Sequence, residues 1–104
     1  MAEDTYRDFV LDQLAPLGRD LECRRMFGGY GLYLGVSFFG ILYGGRLYFK
    51  TNQASRGDYE ALGMEPFRPR PRQTLADYYE VPVEVVESSE QLVRWAWRAA
   101  RSKG

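Results

Sequence analysis

Five arginines carry the most readily named chemistry in this chain: Arg24 and Arg25 beside a glycine turn, and Arg68, Arg70 and Arg72 alternating with prolines. A guanidinium offers paired N–H donors to an oxyanion, so two such groups brought together would make a site for phosphates. Tyr30 or Tyr33 nearby would then stack on a base. Against this, 14 basic residues balance 14 acidic ones, and no long-range field draws a polyanion. Solvated arginines, some paired with Glu22, Glu65 or Asp77, are the plainer account and outweigh the anion site.

Other constellations are thinner. Asp77 and Glu80 are the nearest thing to a carboxylate pair, but three residues apart in a strand they face opposite ways. Gly28-Gly29-Tyr30-Gly31 has neither the spacing of a phosphate-binding loop nor a helix after it, and reads as a turn between strands. Cys23 lies next to arginines that would lower a thiol pKa, though a buried structural thiol is the commoner use. The chain has one cysteine and no histidine. This removes disulfides, CxxC sites, His-based zinc sites and the Ser–His and Cys–His nucleophiles. Carboxylate or lysine chemistry stays open; the reading is of a protein that is not an enzyme and needs no cofactor or metal.

The elements that would position these residues follow from periodicity. Tyr6, Phe9, Val10, Leu14 and Leu17 form a helical stripe, with Thr5 and Asp8 as a capping box and Gly18 as the stop. Extended runs follow at Leu21–Phe27, Tyr30–Leu34, Val36–Tyr43 and Arg46–Lys50, joined by glycine turns such as Gly44-Gly45. The third run is apolar on both faces, so its second face must be covered by another element or by a second copy of the chain. A short helix starts at Ser55 and ends at Gly63. The alternating prolines of Pro66–Arg72 predict an extended, polyproline-like path, and Thr74–Glu80 a further strand. The last helix opens with Ser88 and Gln91. Its Leu92, Trp95, Ala96 and Ala99, flanked by Val93, Trp97 and Ala100, predict a well-buried or shared helix, with Arg98, Arg101 and Lys103 at its negative end.

Four stretches in this order resemble the TfoX N-terminal domain family. Arg25-Met26-Phe27-Gly28-Gly29-Tyr30-Gly31-Leu32-Tyr33 looks like its opening motif, and Gly45-Arg46-Leu47-Tyr48-Phe49-Lys50 like its G-x-L-Y-x-K strand. Gly63-Met64-Glu65-Pro66-Phe67 resembles G-x-x-P-F, and Tyr78-Tyr79-Glu80-Val81-Pro82 resembles Y-Y-E-V-P. The resemblance covers about Leu21 to Ala100 and marks Met26, Phe27, Gly28, Gly29, Gly31, Lys50, Tyr78, Tyr79 and Pro82 as family positions. It implies an α+β fold arranged like a secretion chaperone: N-terminal helix, antiparallel meander, short helix, further strand and C-terminal helix. It also implies the role of the family's best-known members, bacterial regulators that promote DNA-uptake genes together with other transcription factors. No catalytic residue comes with it.

At 104 residues, 45% apolar and 15% aromatic, the chain has the material for one core and is read as one domain over residues 1–104, a stand-alone copy. No apolar run approaches the ~20 residues that cross a bilayer, and the acidic N-terminus has no signal-peptide core. A cytoplasmic regulatory module is expected, acting by contact with a protein such as a transcription factor or polymerase component, and as a homodimer. Direct binding of nucleic acid or a phosphate anion through the arginines is the alternative.

Overall fold

The computed structural model describes residues 2–26 and 28–102. Helix α1 (Ala2–Gln13) and a 3-10 turn (Ala15–Leu17) lead into strands β1 (Leu21–Met26), β2 (Gly29–Leu34), β3 (Ser37–Tyr43) and β4 (Arg46–Lys50). Helix α2 (Gln53–Ala61) then crosses to the hairpin of β5 (Pro66–Arg70) and β6 (Gln73–Glu80), and α3 (Val83–Val86) and α4 (Ser89–Ala100) close the chain. All pairings are antiparallel, and β6 docks on β4, so the strand order is β1-β2-β3-β4-β6-β5. The expected α+β class and element order hold. No helix among the described residues is long and apolar enough to cross a membrane.

Helix starts follow local hydrogen bonding. Ser88 caps α4, its hydroxyl accepting from the Gln91 N–H at 3.3 Å. Helix α2 begins three residues before the predicted Ser55: Asn52 is the cap, its side chain accepts from the Ser55 N–H at 2.9 Å, and Ser55 Oγ accepts from the Asn52 N–H at 3.0 Å. Both rank well at a cap, and the reciprocal pair decides in favour of Asn52. Thr5 and Asp8 form no capping box, because α1 is already helical at Ala2. Nor does Gly18 end that helix: α1 stops at Gln13, and Pro16 sits in the separate 3-10 turn.

One face of the sheet carries the main core. Val10 of α1, Leu14 just after it, and Leu92, Ala96 and Ala99 of α4 pack with Leu32, Leu42, Leu47 and Phe49 of the strands, all buried. Each large side chain here contributes about 1.5–3 kcal/mol by leaving water. Arg98 ties α4 to α2, donating to Asp58 at 2.6 Å while its guanidinium lies 5.0 Å over the Trp95 ring. The apolar arc of α4 is narrower than the sequence suggests, because Trp97 stays 43% exposed.

The third strand resolves its two apolar faces by a register shift. Leu32 pairs with Gly40 but Tyr33 with Phe38, which leaves Phe39 as the extra residue of a bulge. Phe39 thereby joins Leu42 in the helix-side core, 5.6 Å from the Phe49 ring. Phe38 and Ile41 are left to the other face. Val36, predicted as the strand's first residue, lies in the Gly35-Val36 turn and is 99% exposed.

That second face is covered by the chain itself. Ile41 is fully buried and Phe67 is 1% exposed, yet neither belongs to the helix-side cluster. Phe67 of β5 meets Tyr48 at 4.5 Å and Tyr43 at 5.4 Å between ring centroids. Strands β4 and β6 separate β5 from β3 in the order, so the sheet must curl until its edge returns over its own face. The proline segment is accordingly a bulged strand and not a polyproline helix. Its prolines are tolerated because β5 is an edge, with no further neighbour to receive their missing N–H.

Two glycine substitutions test this packing with opposite signs. A Cβ on Gly29 would lie 2.2 Å from the Leu42 carbonyl oxygen, so Gly29→Ala must part β2 from β3 and is expected to lower stability by at least about 2 kcal/mol. A Cβ on Gly57, inside α2, meets nothing within 4 Å; Gly57→Ala is expected to raise stability by about 0.5–1 kcal/mol. Denaturant unfolding midpoints of the two variants read both effects.

Candidate functional site

The sheet face away from the helices carries a row of rings. The Arg24 guanidinium lies 4.8 Å over Tyr33, Tyr33 stacks on Phe38 at 5.1 Å, and Phe38 meets Tyr78 at 5.5 Å. The Tyr78 hydroxyl donates to the Phe38 carbonyl at 3.5 Å. Lys50 pairs with Tyr78 in the strand register and is half-buried, with no ion pair among the described residues. Tyr33, Phe38 and Tyr78 are likewise only half-buried. The result is an aromatic strip with a cation at each end, flat enough to meet a partner and fixed by the strands beneath it.

The family positions read from the sequence build and border this strip. A Cβ on Gly31 would come within 2.7 Å of Met26 Sδ and 3.0 Å of Phe38 Cε1, so the missing side chain is what lets these two close over β2. Gly28 lies in the β1–β2 turn, Gly29 opens β2 opposite Met26, and Phe27 lies outside the described residues. Lys50 and Tyr78 are on the strip. Tyr79 and Pro82 are not: Tyr79 turns to the helix side and donates to Glu60 at 3.1 Å, and Pro82 precedes α3.

The five arginines sit apart. Arg24 and Arg25 are on β1 and Arg68 and Arg70 on β5, the two opposite edges of the sheet, with Arg72 in the β5–β6 turn. Arg24 forks onto Glu22 at 2.8 and 3.1 Å. Arg25 faces the helices, where it and Arg7 both donate to the Tyr30 hydroxyl, at 3.3 and 3.0 Å, and lie over its ring. Tyr30 in turn donates to Asp4 at 2.6 Å. Arg68 donates to Thr74 at 3.1 Å, and Arg70 and Arg72 are exposed. Asp77 and Glu80 pair with different arginines, Arg56 and Arg46. Sequence reasoning missed Asp4 and Arg7, since nothing in the spacing says that Tyr30 faces α1. It also missed Phe67, whose place depends on the curl.

Burial and hydrogen bonding favour the neutral form of several phenols and of the one thiol. Burial pushes the phenols of Tyr6, Tyr48, Tyr59, Tyr78 and Tyr79 above the ordinary value, Tyr78 up to about 12. Tyr30 is raised first by its hydrogen bond to Asp4, which lowers the Asp4 carboxyl in return. Burial also raises the Cys23 thiol, outweighing the pull of Arg7. These groups can donate hydrogen bonds and present ring faces; they are not poised to take or give protons near neutrality. Among the described residues no three His, Cys, Asp or Glu side chains gather to hold a metal.

The sign of the phenol shifts fixes an alkaline limit. An unfolded tyrosine ionises near 10.0 whereas Tyr78 holds its proton to about 12, so the stability it contributes is complete below pH 10 and is lost as pH rises toward the raised value. Tyrosinate absorbance and loss of circular dichroism are therefore expected to rise together above that point, and Tyr78→Phe to flatten the dependence. Full ionisation with the dichroism intact would contradict the burial.

Comparison with known proteins agrees with the motif pattern. No curated protein matches the chain. The family model for the TfoX N-terminal domain matches residues 12–102, which takes in the whole sheet and α2 to α4. The chain belongs to the TfoX N-terminal domain family.

Proposed function

We propose that this domain is a non-enzymatic regulatory module of the bacterial cytoplasm that acts by protein–protein contact, with a transcription factor or polymerase component as partner. The observation that carries the reading is the half-buried strip of Tyr33, Phe38 and Tyr78 with Lys50 and Arg24 at its ends. Aromatic rings and arginine are the side chains that most often dominate protein interfaces, because they bury large area with few rotors to freeze. Phenols held neutral and carboxylates already paired with arginines suit contact better than bond-making. Family membership fits a competence-regulator-like role, in which the domain works through other regulators. Self-association is part of the same reading.

Direct nucleic-acid binding is the second reading. It is favoured by the β5–β6 hairpin, where Arg68, Arg70 and Arg72 are all exposed and form no ion pair among the described residues. Neighbouring Tyr43, Phe67, Pro69, Gln73 and Leu75 line a groove of about 280 Å³ with Arg70.

Affinity capture from a bacterial lysate separates the two. Tyr33→Ala and Lys50→Glu, checked for native dichroism, are expected to lose the captured regulator about tenfold or more relative to the wild type. Equal capture by variants and wild type would remove the strip from the reading. If the hairpin binds DNA instead, affinity falls steeply with salt, and Arg70→Ala with Arg72→Ala lowers the log–log slope by about one for each arginine.

A further inference from the structure

The outer seam of α4 is built to meet a second copy of itself. Glu90, Arg94, Trp97 and Arg101 recur at spacings of four, three and four residues, so they line one side of the helix, opposite the buried Leu92, Ala96 and Ala99. Trp97 is 43% exposed, and the side chains of Arg94 and Glu90 are 65% and 85% exposed. Inside the chain this seam is barely satisfied. Glu90 and Arg94 lie 3.8 Å apart at i,i+4, a weak surface pair, and Arg101 has no ion pair among the described residues.

We propose that two chains associate through antiparallel α4 helices related by a twofold axis midway between Arg94 and Trp97. The order of residues makes the seam self-complementary, as a twofold interface requires. Trp97 of each copy then faces Arg94 of the other, and Glu90 of each faces Arg101 of the other. The first contact sets a guanidinium on an indole; the second pairs an acid with the base that lacks one. Beside the seam, Pro16, Ser89, Glu90, Val93 and Arg94 line an open hollow of about 540 Å³, and the antiparallel register points the opposing Trp97 at it. Antiparallel helices also set opposite dipole ends side by side.

A second copy fits better than a polyanion. Three arginines near one end, Arg94, Arg98 and Arg101, would attract phosphates, but a charged strand continuing along the seam meets Glu90 and then Glu87, both exposed. A partner with base and acid in reversed order meets each end favourably, and an antiparallel copy has that order. A helix of 12 residues spans about 18 Å, which places the interface at the small end of specific contacts. This surface is separate from the aromatic strip, so Tyr33→Ala and Lys50→Glu leave the association unchanged.

Sedimentation of the full chain over a concentration series tests the arrangement. The wild type should self-associate, and Trp97→Ala should weaken association by about tenfold or more. Glu90→Arg alone sets two guanidiniums against each other across the seam, and Arg101→Glu alone opposes two carboxylates, so each variant should run as a monomer. Mixed together, the two variants should associate again as a heterodimer, because both cross-seam pairs are acid with base once more, one with its charges exchanged and one as in the wild type, and each chain keeps its Trp97 on the other's Arg94. A wild type monomeric up to millimolar concentration would overturn the proposal, as would charge variants that self-associate like the wild type or a mixture of folded variants that stays monomeric. Tight binding of single-stranded DNA by a wild type that stays monomeric without it, lost on Arg101→Glu, would assign the seam to a polyanion and overturn it equally.

Discussion

The bulge at Phe39 sets the phase on which both faces of the sheet depend. Alternation from Ile41 would put Phe39 on the same side as Ile41, among the tyrosines, and Phe38 on the helix side. The extra residue turns Phe39 to the helices, and Gly40 clears the way, since a Cβ there would come within 3.2 Å of both Leu32 Cδ1 and Phe49 Cδ1. One large ring is thus moved to the face where α4 can cover it. Phe38 is freed to stack between Tyr33 and Tyr78, and the strip exists because of that exchange.

A small α+β domain has few helices with which to cover a six-stranded sheet. Here α1, α3 and α4 cover one side, and the sheet closes much of the other with its own edge. Phe67 is the residue through which it does so, resting on Tyr43 and Tyr48. The two ring groups divide the work. In the one near β5 the central ring, Phe67, is fully buried between half-buried tyrosines, whereas every ring of the strip stays half-buried. Function is assigned to the strip because water reaches each of its rings.

How much of this was legible in the sequence follows from how local each signal is. Glycine turns and apolar periodicity are local, so β1 to β4 and α4 fell within a residue or two of their places. Gly44-Gly45 is an example: both adopt positive φ, 61° and 74°, as a two-residue hairpin requires. The cap of α2 was missed because Asn52 and Ser55 are both good caps and only the reciprocal bond separates them. The arginine groups could not be placed without strand order, since their convergence depended on which edges meet. The exposure of Trp97 was hidden by its neighbours Trp95 and Ala96, which made the whole helix look apolar.

The curl gives the molecule two layers of unequal permanence. Strand β5 is paired with β6 and rests through Phe67 on the sheet face, whereas β3 and β4 are clamped beneath α4. If β5 alone peels away, Tyr43 and Tyr48 are laid bare while the cluster under the helices, Tyr79 of β6 included, stays whole. Amide protons of β5 would then trade with solvent long before those of β3, and the domain would breathe from one edge inward.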